Sequence, residues 1–301
     1  MIRESYGDYE KYTFGSDVLR VSVITLGATV ESLKFHGREM VLRYEDAEGY
    51  LSGSSYICAV IGRYANRIGK ARFTLGGREY ILPANEGADL LHGGPHSYDK
   101  RAWRAEVLSE SAVRFTLTSP DGDNGFPGTL EASVTYSVTG STLRLEFGGV
   151  CDADTVYAPT SHMYFNLGGK NVLDYSMLIP ASGWLEVGGN LIPTGRIMPP
   201  EGDFDFSAMR RIGHDYDHCF TLNGEHTCSI EYGGTRLDVY SDFPAVQIYT
   251  ASSMSAPHGA HSGLAIEPEE YPDSPNKPQF PSTVLRAGEH YHRWAEYRFS
   301  E

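Results

Sequence analysis

The stretch LEASVTYSVTGSTLRLEFGGV, residues 130–150, decides the fold. Leu130, Ala132, Val134, Tyr136 and Val138 alternate with polar or small neighbours, Gly140-Ser141 marks a turn, and Leu143, Leu145 and Phe147 resume the alternation. A period of two is the signature of a half-buried strand, and two such runs around a short glycine turn read as a β-hairpin. The same pattern recurs outward in both directions. Leu19, Val21 and Val23 alternate with Arg20 and Ser22, and Val113, Phe115 and Leu117 with Arg114 and Thr116. Phe73 and Leu75, then Gly76-Gly77, then Tyr80 and Leu82 form a second hairpin signal. Leu237 and Val239, Val246 and Ile248, and the closing HYHRWAEYRF repeat the theme. Helical periodicity is almost absent, with a turn or two expected over Asp46 to Leu51. The 33 glycines and 16 prolines supply the turns that many short strands need. No linker or internal repeat divides the chain. The expectation is an all-β protein, a large antiparallel β-sandwich formed as a single domain over residues 1–301.

Composition narrows the function. A formal charge of −14 leaves no basic surface to neutralise phosphates, which argues against nucleic acid. No apolar run is long enough to span a bilayer. The opening MIRESYGDYE lacks the apolar core of a signal peptide, and Cys58, Cys151, Cys219 and Cys228 have neither zinc nor redox spacing. Reduced thiols in a cytoplasmic protein are expected.

Chemistry collects between the strands. IGRYANRIG (61–69) carries Arg63, Asn66 and Arg67 among glycines, and LLHGGPHSYDKRAW (90–103) places His92 before Gly93-Gly94. PTSHMYFNLGG (159–169) sets His162 beside Tyr164, Phe165 and Asn166, and HDYDHCF (214–220) interleaves His214, Asp215, Asp217 and His218. SPDGDNGFPG (119–128) lacks the spacing and terminal Glu of a calcium loop and reads as a turn. In GLAIEPEEYPDSPNKPQFPS (263–282) a short strand, Leu264-Ala265-Ile266, runs into Glu267, Glu269 and Glu270. Prolines at 268, 272, 275, 278 and 281 bar the tail from helix or inner strand.

Histidines, carboxylates, an Asn-Arg pair and aromatics suit a neutral sugar, with polar groups for hydroxyls and ring faces for the C–H side. A carboxylate with a histidine also moves protons at neutral pH without a cofactor. Other readings stay open on residue types alone. A metal would use His290 with His292, or His214 with His218, though no third ligand stands at diagnostic spacing. A glycosidase would use Glu267 and Asp217 as its carboxylate pair. A non-catalytic sugar-binding module would need neither acid nor base. Nucleophile elbows and phosphate-binding glycine loops are absent.

Read jointly, IGRYANRIG with ARFTLGG, LLHGG, DKRAW, SPDGDNGFPG, SHMYFNLGG, LIPTG, DYDHCF, AVQIYT and IEPEEYPDSPNKPQFPS resemble the aldose 1-epimerase (galactose mutarotase) family, in the family's order over roughly residues 12 to 299. The resemblance implies a supersandwich, no metal or organic cofactor, and interconversion of the anomers of free aldohexoses such as galactose and glucose. It implies a monosaccharide as the only partner, with a monomer or weak homodimer. By motif it puts the general acid at His162 and the general base at Glu267. A catalytic histidine falls at His92, and sugar-binding groups fall at Asn66, Arg67, Asp217 and Gln247, with Tyr164 beside the acid. Typical members read E-T-Q at the base, where this chain has Glu267-Pro268-Glu269. The segment after Thr250, ASSMSAPHGAHSG, also departs from the family's glycine-asparagine pattern. Both departures bear on sugar preference.

Overall fold

The alternating stretch becomes two ten-residue strands, Leu130–Thr139 and Thr142–Cys151, paired antiparallel from Leu130 opposite Cys151 to Thr139 opposite Thr142. Gly140 turns the chain with φ +57°, a conformation that favours glycine. The computed structural model describes the whole chain, Met1–Glu301. These two strands sit inside a nine-stranded antiparallel sheet. Its centre is closed by the last strand, His290–Ser300, which fits between Thr142–Cys151 and Thr235–Ser241. A six-stranded sheet runs in the order Tyr164–Phe165, Leu264–Glu269, Ala245–Tyr249, Asp217–Leu222, Ala181–Val187, Pro193–Met198. A five-stranded sheet is built from residues 2 to 39.

The sheets share one hydrophobic cluster of 62 buried residues. Alternation decides which face each strand contributes. Val246, Ile248, Leu264 and Ile266 point into that cluster with Leu143, Leu145, Leu237, Val239 and Tyr297. Aromatic contacts tie the layers together, such as Phe165 with Tyr297 (centroids 5.2 Å) and Phe35 with Phe299 (5.5 Å). Such pairs contribute about 0.5–1.5 kcal/mol each beyond area burial. The short helix Ala47–Ser52 forms where expected, capped by Asp46, whose Oδ1 accepts from Gly49 N–H at 2.9 Å.

One expectation is corrected. The strand expected to end at Ile266 continues through Pro268 to Glu269, pairing with Ala245–Tyr249 throughout. Proline is tolerated because the other neighbour, Tyr164–Phe165, pairs only with Leu264 and Ala265. Beyond that point the strand is an edge, and a missing N–H leaves no ladder acceptor empty.

Candidate active site

The opposite, outward face of the six-stranded sheet is polar. Gln247 pairs in register with Glu267 on one side and Cys219 on the other, so alternation puts Asp217, Cys219, Gln247, Glu267 and Glu269 on one surface. Glu267 is 2% exposed and Glu269 1%. Gln247 Nε2 donates to Asp217 Oδ1 at 2.5 Å and so fixes both side chains.

Loops fold over this face. Asn66 and His92 clasp each other: His92 N–H donates to Asn66 O (2.9 Å), and Asn66 N–H donates to His92 Nδ1 (3.2 Å). Both residues are left-handed, with φ +57° and +50°, a cost that concentrates at functional sites. Gly93 allows the approach, since a Cβ there would stand 2.1 Å from Gly62 O. Asn66 Nδ2 donates to Glu269 Oε1 at 3.1 Å. Arg67 is forked onto Glu86 (2.5 and 2.9 Å) with Asp217 Oδ2 4.0 Å away. His162 lies between two short strands with its backbone pinned to Cys58 and Ala59. Its ring packs against Tyr164 (4.8 Å) and His92 (5.1 Å), and Nε2 faces Glu267 Oε1 at 3.5 Å. The result is a cavity of about 190 Å³ lined by Asn66, Arg67, His92, His162, Tyr164, Asp217, Gln247 and Glu267. All eight residues singled out in the sequence therefore meet at one place.

Burial sets the charge states. Desolvation pushes His162 down to about 3 and His92 well below the usual histidine value, the latter aided by His162 and Arg67. Desolvation pushes Glu267 well above the usual carboxylate value, aided by Glu269 and Asp217 and opposed by Arg67. Burial thus disfavours the charged form that His162 needs as a general acid. A neutral imidazole beside a protonated Glu267 nevertheless carries the same proton count as imidazolium beside carboxylate. His92 has one tautomer open to it: Nδ1 accepts from a backbone N–H, so Nε2 carries the hydrogen.

His92, His162 and Glu267 converge closely enough to suggest a metal. The His92 tautomer opposes this, because a ligating Nε2 requires a protonated Nδ1, and here Nδ1 is occupied as an acceptor. The other metal candidates lie elsewhere. His290 and His292 stand exposed on the nine-stranded sheet. His218 packs on Phe204 (4.9 Å), and exposed His214 lies near Asp203. Arg63 is structural: its buried guanidinium donates to the carbonyls of Pro127, Gly128 and Ser119 at 2.7–2.9 Å, locking the 119–128 turn.

Sequence reasoning missed Tyr56, Glu86, Tyr249 and Ser253–Met254–Ser255, all of which line the cavity. Tyr56, at φ +54°, packs its ring tilted against His92 with centroids 4.6 Å apart, but sits in SGSSYICAV, which carries no local signal. For Glu86 the only clue was a carboxylate ahead of the His92 loop.

Fold and pocket together define a class: a β-sandwich protein with a facing imidazole and carboxyl over one polar cavity. The family model for aldose 1-epimerase matches residues 10–298. Mouse galactose mutarotase is 38% identical over 98% of this chain and 95% of its own length. Escherichia coli aldose 1-epimerase is 33% identical over 93% and 91%. Among solved structures, galactose 1-epimerase from Lactobacillus acidophilus superposes with a TM-score of 0.90 at 26% identity, covering 100% of this chain and 98% of that one. A C. elegans aldose epimerase homologue gives 0.92 at 25% identity, covering 97% and 99%. The chain belongs to the aldose 1-epimerase family.

Proposed function

We propose that the protein is a mutarotase, an isomerase interconverting the α and β anomers of free aldohexoses such as D-galactose and D-glucose. The observation that carries this reading is His162 Nε2 facing Glu267 Oε1 at 3.5 Å inside a small polar cavity. A cyclic aldose bears its C1 hydroxyl and ring oxygen on one carbon, so the acid and base that serve them must stand side by side. Glu267 takes the C1 hydroxyl proton, the bond from C1 to the ring oxygen breaks, and His162 protonates that oxygen. The open aldehyde turns about C1–C2 and recloses by the reverse steps on its other face. His92 offers Nε2–H to the oxygen on which charge develops. Asp217, Gln247, Asn66 and Arg67 hold hydroxyls, and the Tyr164 ring covers a C–H side.

The proton must reside on His162 for the forward step. Glu267 Oε2 has no side-chain or backbone partner, and the C1 hydroxyl supplies a donor that favours carboxylate there. The pair then becomes imidazolium and carboxylate without any net proton uptake.

A glycosidase using Glu267 and Asp217 has less support. Asp217 is held by Gln247 in a binding environment, and the group facing Glu267 is an imidazole. The same reading carries finer points: one domain over residues 1–301, a monomer or weak homodimer, and a cytoplasmic location. The four cysteines are free and buried, which supports that compartment, and no helix is long and apolar enough to cross a membrane. Polarimetry on freshly dissolved α-anomers of several aldoses tests the proposal. The wild type should accelerate exchange with or without chelator, Glu267→Gln should not, and neither should release an aryl glycoside's leaving group. A background rate for the wild type would leave a sugar-binding module.

A further inference from the structure

Glu269 does not line the cavity, yet it is as buried as the base two residues before it. Both side chains leave the same face of the strand Leu264–Glu269. Ala245 lies opposite Glu269 in register and Cys219 stands beside it, both within the small apolar cluster that includes Leu185 and Tyr271. Charged and titratable groups facing it are Glu267, Asp217, Cys219 and Arg67, with His162 and His92 beyond Glu267. Four acids, Glu86, Asp217, Glu267 and Glu269, surround a single guanidinium, that of Arg67. Asp217 and Glu86 keep 30% and 39% of their side chains in solvent, whereas Glu267 and Glu269 keep almost none. The conflict therefore falls on the buried pair.

Within that pair the donors are unequally shared. Glu269 Oε1 accepts from Asn66 Nδ2 at 3.1 Å. Glu267 has only His162, at 3.5 Å. Burial raises both carboxyls, and a hydrogen bond to the charged form favours ionisation, so the Asn66 amide favours Glu269 over Glu267 as the carboxyl that ionises first as pH rises.

We propose that Glu269 is a positioning residue acting through Glu267: an ionised carboxylate held behind the base, whose charge strengthens the base's grip on the C1 hydroxyl proton. It also anchors the Asn66 amide. A stronger base removes an alcoholic proton more readily but becomes available only at higher pH. The proposal rests on the mutarotase reading.

The test compares pH profiles of kcat/KM for wild type, Glu269→Gln and Glu269→Asp. Glutamine keeps an oxygen for Asn66 Nδ2 and loses the charge. Its acid limb should move down by about one pH unit or more, with a lower plateau. Aspartate keeps the charge but not the reach, so its acid limb should stay near wild type while KM rises. Coinciding acid limbs in Glu269→Gln and wild type would overturn the proposal, as would equal shifts in both variants. Carboxyl 13C shifts of labelled glutamate give a readout independent of turnover, in which Glu267 should titrate at lower pH in Glu269→Gln. An inactive wild type would defeat the mutarotase reading, and the carboxyl titration would then decide the coupling alone.

Discussion

Replacing His162 by asparagine separates chemistry from structure, because the imidazole is well packed but poorly bonded. Its Nδ1 is buried without a side-chain or backbone partner outside its own residue, and Nε2 meets Glu267 only at 3.5 Å. The backbone of residue 162 does the structural work, through Ala59 O and Cys58 N–H at 2.9 Å each, and asparagine keeps that. Ring contacts with Tyr164 and His92 are lost, about 0.5–1.5 kcal/mol each. Loss of a positioned acid should lower kcat by about 10²–10⁴-fold. At neutral pH the melting temperature should fall by about 2–12 °C, from roughly 1–3 kcal/mol at about 2–4 °C per kcal/mol.

Acid sharpens the comparison. The folded-state value of His162, about 3, lies below the unfolded value, so its contribution to stability is present above about 6.5 and is lost as pH falls from there toward 3. At pH 5 the wild type should have lost on the order of 2 kcal/mol through this group, a loss the variant escapes. Stopped polarimetry and melting scans between pH 7.5 and 5 measure both quantities. Near-normal kcat with a large drop in melting temperature at pH 7.5 would refute the argument and make His162 a packing residue.

Asp217→Asn should raise KM about tenfold with a smaller change in kcat, since a hydroxyl-binding group acts on ground and transition states alike; saturation kinetics by polarimetry reads the split. Glu267 and Glu269 are both raised in the folded state, so the stability they contribute is complete below about pH 4.3 and is lost as pH climbs through the raised values. Glu269→Gln should therefore out-melt the wild type by a margin that grows from pH 4.5 toward 8. A margin that shrinks with pH would reverse the sign of the argument.

The sheets were legible because alternation is a local signal: residues 130–150, 19–23 and 72–82 needed no distant partner to be read. Pro268 misled because its missing donor matters only where a second strand lies alongside, which tertiary structure decides. The motifs by which the chain resembles its family brought all eight pocket residues together. What they could not supply were bonds between distant positions, such as Asn66 to Glu269 across 203 residues or Arg67 to Glu86. Tyr56 was invisible for the same reason. Its place beside His92 follows from backbone geometry at positions 56 to 58, which no residue pattern announces.

The acid and the base are held in different ways, and this bears on where selectivity can reside. Glu267 is fixed by sheet register, opposite Gln247, and a slip of one residue would send it into the apolar cluster with Ile266 and Ile248. His162 is fixed by paired backbone bonds to residues 58 and 59. Neither can shift to suit one sugar without disturbing a sheet. The cavity is also lined by Ser54–Ser55–Tyr56 and Ser253–Met254–Ser255, connections outside the sheets. Loops tolerate substitution where sheet centres do not. Glu267, Asp217 and Gln247 are thus set by strands, while residues 54–56 and 253–255 are the part of the pocket lining freest to vary.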